Sequence, residues 1–271
     1  MSPFFNFLIR SNFYIAGSSF FLTFYYQFLI NQTFDLSSFF LNFCLVYLAY
    51  NLLRFKPIFQ KQGLKTPQEV WFRKHSLFVY LSSTLCSLFV LLQLHSFTYI
   101  QLGILGLTSV ITLVYGKFIL AQNKLREISI LKPLLIGLSW ALICVALPAK
   151  TFDRTFFILF SECIIFITCL SILYDFKDLS FDRSLGVKTL AARYQHSKIF
   201  MVSIFCVMTI ASVMLTILLK SNLLMPLIFL LILYGFNLSI FLKKKLTEMK
   251  LHFWVDGLIY LKSVSLILLL F

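Results

Sequence analysis

The chain has 271 residues, of which 60% are hydrophobic, 18% aromatic and only 13% charged, with a mean hydropathy of +0.91. A soluble domain carries about 25% charged residues, so this composition excludes one, and it equally excludes a disordered chain or a disulfide-stapled scaffold. The formal net charge of +14, from 24 Lys and Arg against 10 Asp and Glu, is unaccompanied by any nucleic-acid-binding motif and reads as membrane topology, with the bilayer as solvent.

Residues 1–10 lack the basic n-region and small-residue cleavage site of a signal peptide, so the first apolar stretch, 13–30, is expected to stay as an anchor. Eight more follow at 36–53, 77–94, 99–115, 131–149, 155–174, 199–219, 223–242 and 253–271. Each is close to the roughly 20 residues of a spanning helix, about twice the length of a barrel strand, and none alternates polar with apolar. In lipid the backbone must satisfy its own hydrogen bonds, which overrides the weak helix propensity of Phe and β-branched residues. The expected fold is therefore all-α: nine transmembrane helices in a single integral membrane domain covering 1–271.

With the N-terminus on the cytoplasmic side, nineteen of the 24 Lys and Arg fall on that side, at Arg10 and in 54–76, 116–130, 175–198 and 243–252. Only Lys150, Arg154 and Lys220 face the other way. The positive-inside rule then gives a cytoplasmic N-terminus and an outside C-terminus in a plasma (inner) membrane of bacterial type. The two long polar loops, 54–76 and 175–198, lie on that cytoplasmic side and are where chemistry is expected. The six cysteines sit in apolar stretches without CxxC pairs and read as small buried hydrophobes, and the four histidines, all near predicted span ends, read as interfacial residues. Glu162 and Lys262 lie deep in the sixth and ninth spans. An unpaired charge there costs at least about 2.5 kcal/mol, so the two are expected to pair. Asp256, nearer the cytoplasmic end of the ninth span, is expected to reach water or a basic loop residue.

The most informative segment is Tyr174-Asp-Phe-Lys-Asp-Leu-Ser-Phe-Asp-Arg-Ser-Leu-Gly-Val-Lys-Thr-Leu-Ala-Ala-Arg193. Asp175, Asp178 and Asp182 are spaced i, i+3 and i+7, so a continuing sixth helix would present all three carboxylates on one face. Such a stripe either holds Mg²⁺ with a phosphate-bearing ligand or is a solvated juxtamembrane face balanced by Lys177 and Arg183.

At this segment the sequence resembles the UbiA superfamily of intramembrane prenyltransferases, whose second aspartate motif reads D-x-x-D-x-x-x-D-R. The match comprises Asp175, Asp178, Asp182, Arg183, Gly186, Thr189, Leu190 and Arg193. The resemblance implies a helical bundle around a central cavity and transfer of a prenyl group from an isoprenyl diphosphate to a lipophilic acceptor. It implies Mg²⁺ on Asp175, Asp178 and Asp182, the last two being catalytic. It implies a diphosphate contact from a basic residue near Arg126 and Lys132; Asn51, Arg54, Lys56, Lys188 and Arg193 are further candidates for that contact by charge or position.

The family's first motif, N-D-x-x-D-x-x-x-D after the second helix, is reduced here to Asn51 within Ala49-Tyr-Asn-Leu-Leu-Arg-Phe-Lys-Pro57, and no Asp occurs between Asp35 and Asp153. Arg54 and Lys56 stand where its carboxylates would be, either to pair with phosphate or to serve as positive-inside residues. Two readings follow: a prenyltransferase working with half the usual metal site, or a non-catalytic isoprenoid-binding, lipid-binding or assembly protein on the same fold. A secondary transporter has the least support, since no matched pair of Gly- or Pro-interrupted helices marks a midplane site.

Overall fold

The computed structural model describes residues 2–31, 35–59, 67–120, 130–177, 179, 189–194, 197–219, 224–243 and 248–266. Among them are twelve α-helices and no strand: α1 (Pro3–Arg10), α2 (Phe13–Asn31), α3 (Leu36–Phe59), α4 (Pro67–Lys74), α5 (Ser76–Leu94), α6 (Tyr99–Leu120), α7 (Leu131–Ala141), α8 (Arg154–Tyr174), α9 (Leu190–Tyr194), α10 (Lys198–Leu219), α11 (Leu224–Lys243) and α12 (Glu248–Val264). Four of them, α2, α5, α8 and α10, are long and apolar enough to cross a membrane. Shorter apolar stretches at Leu36–Leu52, Tyr99–Val114, Leu131–Ala146 and Pro226–Leu242 coincide with four more of the expected spans. The ninth expected span overlaps α12, whose described part carries Asp256 and Lys262. The short helices α1, α4 and α9, at the span boundaries, were not anticipated from the apolar pattern.

Large apolar side chains such as Leu85, Leu92, Ile210 and Ile217 are exposed along the outer helices. In water this would be an association surface; in a bilayer it is the face that meets lipid. The chain is accordingly a membrane protein. The central position belongs to α8, 61% of whose spanning window is buried against 6% for α5. Helix α8 packs on α7, α10 and α12, and α2 packs on α3 and α12. Tyr14 hydroxyl donates to the Phe253 carbonyl at 3.3 Å, Tyr260 hydroxyl donates to the Tyr14 carbonyl at 2.6 Å, and Tyr26 meets Lys262. The order of these contacts makes α2 and α12 parallel, so residues 12–14, 51, 132, 174–175 and 252–256 share one end of the bundle.

Helix α7 ends in a π-helical turn, Leu142–Ala146, in which the Leu147 amide donates to the Leu142 carbonyl at 2.8 Å. The next residue, Pro148, has no N–H to give the Ile143 carbonyl, and the Asn42 amide nitrogen fills that vacancy at 3.0 Å. Asn12, between α1 and α2, takes a left-handed φ of 65°, a conformation that Asn tolerates better than most residues. Five of the six cysteines are buried as expected; Cys206 is instead exposed on α10, where an apolar thiol faces lipid without penalty.

Candidate functional site

The Asp175 carboxylate is buried at the C-terminal end of α8, and Lys132, in the first turn of α7, donates to its Oδ1 at 2.5 Å. Lys132 is partly exposed, so the pair sits at a boundary: a sheltered carboxylate held by a lysine whose stem reaches from the surface. Neutralisation is what permits the carboxylate to be buried, because a lone ionised group there would lose its hydration without compensation.

The α-helix stops at Tyr174, and a 3₁₀ turn, Asp175–Lys177, follows. Asp175 therefore lies in a 3₁₀ turn rather than in the α-helix, and Leu179, the next described residue after Lys177, is again helical. An acidic residue is disfavoured by the negative pole of a helix C-terminus, and Lys132 gives Asp175 a partner there instead. Asp178 and Asp182 lie outside the described residues, as do Arg126 and Lys188; Arg54 and Lys56 belong to α3, but their side chains lie outside the described set.

Beside this pair, Tyr174 hydroxyl and His252 Nε2 are 3.0 Å apart, with the two rings edge to face. On its other side His252 Nδ1 is 3.9 Å from Asp256 Oδ2, one turn further along α12. His252 and Asp256 are both buried, so at this end of the bundle the histidine packs against protein, and Asp256 meets it there. The i, i+4 spacing of His252 and Asp256 was the available signal, though it does not show which face of the helix turns inward. Asn51 is fully buried, and its Oδ1 accepts from Asn12 Nδ2 at 2.7 Å. Among the described residues Asn51 Nδ2 makes no hydrogen bond of good geometry, although the Tyr47 hydroxyl, one turn away on the same helix, lies within its reach; it is a weakly answered buried donor of the kind that a phosphate oxygen satisfies. Arg193, by contrast, is exposed on α9, with its guanidinium 5.5 Å from the neighbouring Tyr194 ring.

Of the expected site residues, the structure thus pairs Lys132 with Asp175, buries Asn51 against Asn12 and leaves Arg193 on the surface. Among the described residues no three His, Cys, Asp or Glu side chains converge as metal ligands. The part of the expected Mg²⁺ site that can be placed is therefore Asp175 alone, a hard oxygen donor already shared with a lysine.

A second polar centre lies in the other half of the bundle, roughly 20 Å along α8 from Asp175 at 1.5 Å per residue. Lys262 Nζ donates to Glu162 Oε1 at 2.5 Å and to Tyr26 hydroxyl at 3.1 Å, while that hydroxyl donates to Glu162 Oε2 at 2.7 Å. The ammonium also lies 4.0 Å from the Phe166 ring centroid. The expected pairing of Glu162 with Lys262 is present, closed by a tyrosine and lined by aromatic faces that favour a cation.

The fold is similar to that of a solved structure of digeranylgeranylglyceryl phosphate synthase in membranes, with a TM-score of 0.56 at 19% sequence identity, covering 96% of this chain and 95% of that one. At this identity the likeness is one of fold. No family model and no curated protein sequence matches the chain.

Proposed function

We propose that this chain is a UbiA-like integral membrane prenyltransferase, transferring a prenyl group from an isoprenyl diphosphate to a lipophilic acceptor. The observation that carries the reading is the fold likeness to a prenyltransferase over nearly the whole chain, with the D-x-x-D-x-x-x-D-R segment starting at the buried Asp175. The proposal includes nine spans, a central cavity among them, and an N-terminus on the cytoplasmic face of a plasma membrane, where the aspartate segment would meet a soluble-headed diphosphate.

In this reading Asn51 Nδ2 donates to a phosphate oxygen, Lys132 stands beside the same group, and Arg126, Lys188 and Arg193 complete a cationic rim. Arg54 and Lys56 contribute positive charge where carboxylates are missing. Asp178 and Asp182, with Asp175, would hold Mg²⁺, which when bound disperses the charge of the departing diphosphate. The spanning helices exclude water from the prenyl carbon as its bond to the diphosphate breaks and the acceptor takes its place.

One observation favours the second reading, a non-catalytic isoprenoid-binding or lipid-binding protein: Lys132 already occupies the carboxylate that a metal would use. The two separate in one experiment, binding of a short isoprenyl diphosphate to detergent-purified protein with and without Mg²⁺. The prenyltransferase reading expects metal-dependent binding that Asp178→Ala and Asp182→Ala each reduce at least about tenfold, the equivalent of one lost charge-assisted contact. Binding indifferent to the metal and to both substitutions leaves only the second reading.

A further inference from the structure

Helix α1 meets α4 across an open cleft of about 310 Å³. Pro3, Asn6, Phe7 and Arg10 form one wall, and Trp71 of α4 forms the other. The four α1 residues stand at i, i+3, i+4 and i+7, so a single stripe of that helix lines the cleft. Other side chains of α1 anchor it. The Phe5 ring packs edge to face on Phe253, the residue after His252, at 5.4 Å between centroids, and Ile9 is buried. The cleft therefore lies at the Asp175 end of the bundle. Its aromatic walls are themselves held, Phe7 by Trp71 at 5.7 Å and Phe78 at 5.3 Å, and Trp71 by the stacked ring of His75 at 4.4 Å. Arg10 brings a positive charge to the lining, which contains no carboxylate.

Charge and surroundings together define what fits. Helices α1 and α4 carry Arg10, Arg73 and Lys74 against one acid, Glu69. Lys74 is exposed and lies three residues from Trp71, on the same side of α4. A phosphate in the cleft would meet the planar donor fork of Arg10 and the amide of Asn6, whereas an ammonium there would meet cations and no carboxylate. The surroundings are those of a lipid. Helix α4 leads directly into α5, only 6% of whose spanning window is buried, and Leu77 and Leu81 in its first turns are 72% and 58% exposed. In a bilayer those leucines meet acyl chains, and a tryptophan at their level is the residue type that favours the headgroup boundary. A soluble anion would use Arg10 and leave the aromatic walls without an occupant; an amphiphile with an anionic head uses both.

We propose that the cleft between α1 and α4 binds the headgroup phosphate of an anionic phospholipid, with Arg10 as its main ligand and Lys74 at its margin. The cleft shares no lining residue with the site at Asp175, so this lipid is additional to any prenyl substrate.

The test measures retention of lipid by native mass spectrometry from a one-to-one mixture of phosphatidylglycerol and phosphatidylcholine with identical acyl chains. Wild type is expected to retain the glycerol lipid about tenfold over the choline lipid, as one charge-assisted contact gives. Arg10→Gln should bring the ratio to parity. Lys74→Gln, at an exposed position where folding is not at issue, should lower it by up to about fivefold, the effect of one basic residue near an anionic headgroup. Arg154→Gln removes an equal charge from the exposed start of α8, outside the cleft, and should leave the ratio unchanged. Equal retention of the two lipids by wild type overturns the proposal, as does a preference that Arg10→Gln and Lys74→Gln both leave intact or that Arg154→Gln reduces as much as Arg10→Gln does. Protection of wild type against unfolding by millimolar glycerol phosphate, without any lipid preference, would make the ligand a soluble anion and overturn it too.

Discussion

The Lys262–Glu162 pair buries both of its charges, whereas in the pair at Asp175 the lysine stays partly exposed. Lys262 is wholly inaccessible and is satisfied by Glu162, Tyr26 and the Phe166 face together. Removing one partner leaves the other buried and uncompensated, which costs about 3–5 kcal/mol, while removing both is far less damaging. Lys262→Met should therefore lower the unfolding temperature in detergent sharply, and Lys262→Met combined with Glu162→Gln should recover most of the loss. A double variant no more stable than the single one would show that the pair is not energetically coupled. This pairing was legible in the sequence because two opposite charges stood alone in apolar spans. The Tyr174–His252–Asp256 array was not, because which face of α12 turns inward depends on its parallel packing against α2, and hydropathy alone does not carry that. Nor does a sequence show that Asn51 would be held by Asn12, 39 residues away.

At the scale of elements, the seam between α7 and α8 leaves no room for a side chain at Gly137. A Cβ on Gly137 would stand 2.4 Å from Thr168 Oγ1 and 2.7 Å from the Ile164 carbonyl oxygen, the latter being backbone that cannot swing aside. Gly137→Ala must part the two helices that carry Lys132 and Asp175, and should destabilise the protein by about 1–3 kcal/mol, as overpacking does. Gly103, on α6, has nothing within 4 Å of such a Cβ; Gly103→Ala should be neutral or raise stability by up to about 1 kcal/mol, through the lower backbone entropy of the unfolded chain. Thermal unfolding of both variants in the same detergent checks the contrast, and equal effects would mean that the seam is looser than it looks. The helical stretches themselves were readable as apolar runs of spanning length. Their ends were less so. The partner that Asp175 finds just past the end of α8 is Lys132, which comes from another helix, and the π-helical turn of α7 leaves a carbonyl that a distant asparagine answers.

For the molecule as a whole, charge placement makes a claim that the helices by themselves do not, because a bundle of this shape can be inserted either way up. The end of the bundle bearing Asp175 is flanked in sequence by most of the Lys and Arg, and the opposite end by Lys150, Arg154 and Lys220. Positive charge resists translocation, so the first end should be cytoplasmic. With nine spans the two chain termini must then lie on opposite sides, and with eight they would lie on the same side. Fusions at the C-terminus therefore test topology and span number together. Alkaline phosphatase fused after residue 271 should be active and green fluorescent protein at the same point dark, whereas fusions within 243–252 should show the reverse. A fluorescent C-terminal fusion beside a fluorescent 243–252 fusion would mean that α12 does not span. Lys262 and Glu162 would then have to be reinterpreted, since their burial would no longer be at membrane depth for both partners.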